Sequence, residues 1–90
     1  MKKILLITID IRVPSADATA LYEAIKAYGG WWHYLKSTWL LHTDKTPHQI
    51  VEELTPHIKG KGRMFVLEVH RPYQGLLTKD AWEWINSRVN

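Results

Sequence analysis

Asp10 is the residue with the clearest capacity for chemistry. It follows Lys3-Ile4-Leu5-Leu6-Ile7-Thr8-Ile9, a run in which nearly every position is aliphatic. A bare carboxylate is costly to bury, so Asp10 belongs where that run emerges into solvent, beside a cation, a hydrogen-bond donor or water. Two readings follow: a structural acid that caps a helix or pairs with Arg12 or Arg63, or a ligand for a divalent ion. Around it the sequence offers groups that hold phosphate, namely Arg12, Ser37, and the basic turn Lys59-Gly60-Lys61-Gly62-Arg63. Guanidinium and ammonium groups favour phosphate oxygens. The glycines of that turn do not form a phosphate-cradling loop, because the GxxxxGK[ST] pattern is absent. His33, His42, His48, His57 and His70 lack metal-ligand spacing, and the chain has no cysteine, which removes thiolate nucleophiles and thiolate metal sites. Nothing beside Ser37 suggests a Ser-His-Asp arrangement.

The elements that must position these groups read clearly. Residues 3–12 form a strand with Leu5, Ile7, Ile9 and Ile11 on one face and Ile4, Leu6, Thr8 and Asp10 on the other. Pro14 breaks the run, and Ser15 or Asp17 can cap a helix over 16–28 that ends at Gly29-Gly30. Residues 31–36 and 38–43 read as two strands of a hairpin joined at Lys36-Ser37. Thr46-Pro47-His48-Gln49 carries a capping box and an N1 proline, opening a helix to about 58 that Pro56 shortens or kinks. Residues 63–71 are a fourth strand. Its Phe65, Leu67 and Val69 are expected under the helices with Ile7, and its Met64, Val66 and Glu68 on the far face. A last helix over 78–89 can turn Ala81, Trp82, Ile85 and Val89 inward.

This order, β-α-β-β-α-β plus a terminal helix, predicts an α+β ferredoxin-like sandwich with strand order 4-1-3-2 and two helices on one face. One domain spans 1–90. That topology gathers Asp10, Arg12, Ser37, Thr38, Arg63 and a helix N-terminus at one end of the molecule, an arrangement suited to phosphate. It leaves Ile4, Leu6, Met64 and Val66 exposed unless the terminal helix folds across, which points to a homodimer through that face. No run is long enough to span a bilayer, so the expected setting is cytoplasmic, with no membrane. A net charge of +3 leans modestly towards an acidic partner, and five tryptophans in ninety residues point to a dense core or an interface.

The stretches Ile7-Thr8-Ile9-Asp10-Ile11 and Trp31-Trp32-His33-Tyr34-Leu35-Lys36-Ser37-Thr38-Trp39-Leu40 resemble the CRISPR-associated Cas-two adaptation proteins and their VapD-type relatives. The second stretch is most like a stand-alone bacterial and phage subgroup labelled SinR-like. The resemblance covers about residues 3–71. It implies a homodimeric nucleic-acid-binding protein in which Asp10 faces its twin across a two-fold axis, binds Mg2+ or Mn2+ and serves phosphodiester cleavage, although many members of the family only bind nucleic acid; at the end that the topology gathers, Arg12, Ser37, Lys61 and Arg63 are the candidate nucleic-acid contacts. Ile9 stands where the family commonly carries Tyr, and a tryptophan-bearing helix replaces its C-terminal strand. Magnesium commonly binds one or two carboxylates plus substrate phosphate. Within one copy Glu68 is the next carboxylate expected on the Asp10 face, on the order of 13 Å away, so a two-carboxylate site requires two copies. The alternative is a non-catalytic interaction or regulatory module that uses the dimer to hold a protein partner or a small nucleotide.

Overall fold

The computed structural model describes residues 1–12 and 18–89; the expected cap residues Ser15 and Asp17 lie outside them. The protein is α+β, with a four-stranded antiparallel sheet and three helices. The strands β1 (Lys3–Ile11), β2 (Trp31–Leu35), β3 (Thr38–Thr43) and β4 (Gly62–Glu68) are ordered β2-β3-β1-β4. The helices are α1 (Thr19–Lys26), α2 (Pro47–Ile58) and α3 (Lys79–Asn86). The hairpin closes on Lys36-Ser37, with Leu35 opposite Thr38. α2 opens with the expected capping box: the Gln49 N–H donates to Thr46 Oγ1 at 3.1 Å, and the Thr46 N–H donates to Gln49 Oε1 at 2.9 Å. It continues through Pro56 to Ile58, so the proline does not shorten it before its last turn. α1 is shorter than its apolar stripe suggests, yet Tyr28 beyond its end still packs on the core.

β1 faces two cores. Leu5, Ile7 and Ile9 lie beneath α1 and α2 with Leu21, Ile25, Trp39, Ile50, Leu54 and Ile58. Ile4 lies on the other side with Trp32, Leu40, Ala81 and Ile85. The terminal helix therefore does fold across the second face. The buried Trp32 indole N–H donates to the Ala81 carbonyl at 3.3 Å, which seats α3 on β2. Thr78 caps α3 by accepting from the Ala81 N–H.

The phase of β4 is opposite to the expectation. Ile7 pairs with Val66 and Ile9 with Met64, whereas Thr8 pairs with Phe65 and Leu6 with Leu67. Paired residues share a face, so Val66 and Met64 pack beneath the helices. Phe65 and Leu67 are 65% and 38% exposed on the other side. The cause is visible in the chain: residues 64–67 are all apolar, so alternation cannot choose a face, and pairing with β1 decides it. The surface expected to dimerise, Ile4/Leu6/Met64/Val66, consequently does not exist as one patch. Ile4 is covered by α3, and Met64 and Val66 belong to the opposite core.

Tyr28 and Lys45 lock the far end of the helical layer. Both donate to Glu53, at 2.6 and 2.9 Å. The Tyr28 hydroxyl and then Lys45 hold the Glu53 carboxyl below its ordinary range, while burial followed by Glu53 pushes the Tyr28 phenol upward.

Candidate phosphate-binding end of the sheet

Strand direction brings the expected residues together. The C-terminal end of β1 lies beside the starts of both β3 and β4 because all three pair antiparallel. Asp10 is opposite Arg63. The Arg12 N–H donates to the Lys61 carbonyl at 2.8 Å, and the Ile9 N–H donates to the Ser37 carbonyl at 2.9 Å. All five expected site residues thus sit at one end of the molecule.

Three adjoining depressions mark this end. One of about 320 Å³ is lined by Asp10, Ser37, Lys36, Ala18, Tyr22 and Trp39, among others. A second, of about 220 Å³, lies between Thr8, Asp10, Arg63 and Phe65. The third, of about 230 Å³, is formed by Arg12, Lys61, Arg63 and the two glycines around Lys61. Asp10 borders the first two and Arg63 the last two, so carboxylate and cations share one continuous surface. Asp10 and Arg12 approach to 3.8 Å between Oδ2 and Nε, with both side chains about two-thirds exposed. Such an ion pair is weak and easily exchanged for a ligand. Ala18, the residue that precedes α1, also lines the first of these depressions.

Sequence reasoning did not single out Lys36, Tyr22 and Trp39 as site-lining groups. Trp39 and Tyr22 stack with ring centroids 5.8 Å apart, and His33 lies flat on Trp39 at 3.7 Å and 8°. Their place follows from the tertiary packing of α1 and β2 on β3. Lys36 was legible as a turn residue; its site role depends on that turn facing the end of β1.

Glu68 is not on the Asp10 face. It pairs with Leu5, on the helix-covered side, and binds His70 at 2.9 Å. The expected nearest carboxylate is therefore on the wrong side of the sheet. Among the described residues no group of three or more His, Asp or Glu forms a cluster able to hold a metal. His33 and His42 lie on opposite faces of the sheet: His33 stacks on Trp39, and His42 meets Trp84 edge-on. Burial, then Lys2 and Arg88, keep His42 below the ordinary histidine range. Among the described residues no helix is long and apolar enough to cross a membrane. No family model and no curated protein matches the chain.

Proposed function

We propose that this protein binds nucleic acid on a ferredoxin-like β-α-β-β-α-β fold extended by a C-terminal helix, gripping phosphates where Arg12, Lys61 and Arg63 meet. The observation that carries this reading is the single basic depression those three side chains line, next to the cleft that holds Lys36 and Ser37. The resemblance of residues 3–71 to CRISPR-associated adaptation and VapD-type proteins supports the same reading.

Three phosphate contacts per copy imply a logarithmic salt slope of roughly −2 for single strands and somewhat steeper for B-DNA. Arg63→Ala should weaken binding across sequences and reduce the slope by about 1, read by fluorescence anisotropy on labelled oligonucleotides between 50 and 200 mM salt. Affinity that is absent, or insensitive to salt, would remove this reading in favour of a module that holds a protein partner or a small nucleotide.

A second reading adds Mg2+ or Mn2+ at Asp10 and phosphodiester cleavage. It is favoured by an exposed carboxylate that borders two depressions. Asp10 would supply one carboxylate, with water and substrate phosphate completing the octahedron, a ligand set magnesium accepts. Bound metal supplies charge neutralisation at the phosphate; Arg12 and Arg63 would orient it. An ion present at about 100 times its dissociation constant stabilises the folded state by about 2.7 kcal/mol. The wild type should show that rise in thermal melting, and Asp10→Asn should not. An equal rise in both proteins would place the ion elsewhere.

A further inference from the structure

β2 carries two exposed rings on one face, beside the end of the sheet that gathers the cations. Trp31 pairs with Leu41, a residue of the core beneath α1 and α2, so Trp31 lies on the helical side, 42% exposed. His33 reaches the same side. Trp32 pairs with Leu40 and Leu35 with Thr38, so His33 and Tyr34 together oppose Trp39 alone, the count of a β-bulge. Bulges re-aim side chains. This one lays the His33 ring flat on Trp39, 3.7 Å between centroids and 8° from parallel, while Tyr34 turns to Trp32 on the other face. The His33 Nε2–H donates to the Lys36 carbonyl at 3.0 Å, because a carbonyl can only accept, and that bond holds the imidazole against rotation. One face of the ring is taken by Trp39. The residue is exposed, so the other face is open to solvent. It is a flat, fixed aromatic surface, tied to the Lys36-Ser37 turn that lines the Asp10 cleft.

We infer that Trp31 and His33 form a stacking platform for two successive unpaired bases of a single-stranded polynucleotide. The inference rests on the phosphate-binding reading above and names its substrate class. Charge selects this occupant first. Lys26 Nζ stands 5.4 Å from the Trp31 ring centroid, and Lys36 directly follows β2. Rings interleaved with cations suit a chain that carries π-faces on an anionic backbone. Lys26 does not block the platform, because an exposed cation–π contact is weaker than a base–aromatic stack. Spacing selects it second. Residues two apart on a strand stand about 6.7 Å apart, roughly twice the 3.4 Å between neighbours in one strand of a duplex. Trp31 is tilted 58° to Trp39, to which His33 is nearly parallel, so the two exposed rings do not sandwich one base. Each takes its own, and each ring replaces a neighbouring base that a paired duplex would retain.

Reach joins the platform to the phosphate site. β4 and β2 are the outer strands of four, so three strand spacings, about 14 Å, separate them. About four nucleotides at roughly 3.4 Å each cover that distance. A strand of about six nucleotides, within the usual range for single-strand sites, therefore runs from Arg12, Lys61 and Arg63 past Lys36 to both rings.

Fluorescence anisotropy with the full chain and short labelled strands tests this. Trp31→Ala and His33→Leu should each weaken single-strand binding about 5- to 150-fold. The salt slope should stay as in the wild type, because no phosphate contact is lost; Arg63→Ala, by contrast, lowers the slope. Leucine keeps Trp39 covered, and His33→Phe, which keeps a ring, should retain affinity. Tyr34→Ala should not change affinity, since Tyr34 is 50% exposed but lies on the other face. An abasic strand of the same length keeps every phosphate and should bind the wild type and both ring variants equally. DNA and RNA present the same base faces, so the losses should appear with both, and the tighter of the two identifies the source. Ring variants that bind single strands like the wild type, an equal loss on the abasic strand, or a duplex bound as tightly as a single strand would overturn the inference and leave the phosphate site standing. Absent or salt-independent binding of every strand would overturn both.

Discussion

Replacing Gly62 with alanine should lower the melting temperature by roughly 12–24 °C, the equivalent of about 3 kcal/mol in a domain of this size. A Cβ at Gly62 would lie 2.1 Å from the Asp10 carbonyl oxygen and 3.0 Å from the Ile11 Cα. Both obstacles are backbone, so no side chain can swing aside and the strands themselves must part. Gly60 provides the control. It adopts φ +80° with nothing within 4 Å of an added Cβ, so Gly60→Ala pays only for a left-handed backbone, about 1–2 kcal/mol. Urea or thermal unfolding should therefore rank Gly62→Ala well below Gly60→Ala. The damage should also be functional. Gly62 sits between Lys61 and Arg63 and opposite Ile11, so parting β1 from β4 moves Arg12 and Asp10 away from the two cations they face. Nucleic-acid affinity per folded molecule should fall in Gly62→Ala and hold in Gly60→Ala. Equal stability losses in the two variants would show that β4 has room to shift.

The element order, the hairpin at Lys36-Ser37, the capping box at Thr46 and Gln49, and the convergence of Asp10, Arg12, Ser37, Lys61 and Arg63 were all legible because each rests on local rules. Caps, turns and alternation read over a few residues, and antiparallel pairing carries them to one end of the sheet. What escaped was the phase of β4, and one cause explains every related error. Four consecutive apolar residues offer no preferred face. The choice was made by close approach at Gly62 and by register with β1, both tertiary. Once that phase flips, the dimer patch through Met64 and Val66 dissolves, and Glu68 leaves the Asp10 face. Phe65 and Leu67 come to the surface next to an unpaired strand edge. The tryptophans divide for a similar reason. Trp32 and Trp39 are both almost fully buried, yet on opposite faces, because neighbouring β2 and β3 residues alternate between the two cores.

Trp39→Ala should cost about 3–5 kcal/mol, the usual range for emptying a buried aromatic site. The indole is 1% exposed and sits against Tyr22, His33 and Trp31 at centroid distances of 5.8, 3.7 and 5.8 Å. Three rings lose a shared partner when it goes, and offset aromatic pairs add about 0.5–1.5 kcal/mol each beyond area burial. Trp39→Phe separates packing from polarity. Among the described residues the Trp39 Nε1–H is buried without an acceptor, and an unmet buried donor costs about 1–3 kcal/mol. Phenylalanine keeps one ring in the stack and removes that donor, so its loss should be well under half that of alanine. Denaturant titration of both variants gives the comparison directly. Because Trp39 also lines the cleft with Asp10, Lys36 and Ser37, the alanine variant should enlarge that cleft and weaken nucleic-acid binding, while phenylalanine preserves it. If Trp39→Phe is as destabilising as Trp39→Ala, the indole N–H has a strong partner in solution, and its polarity rather than its stacking holds this end of the sheet together.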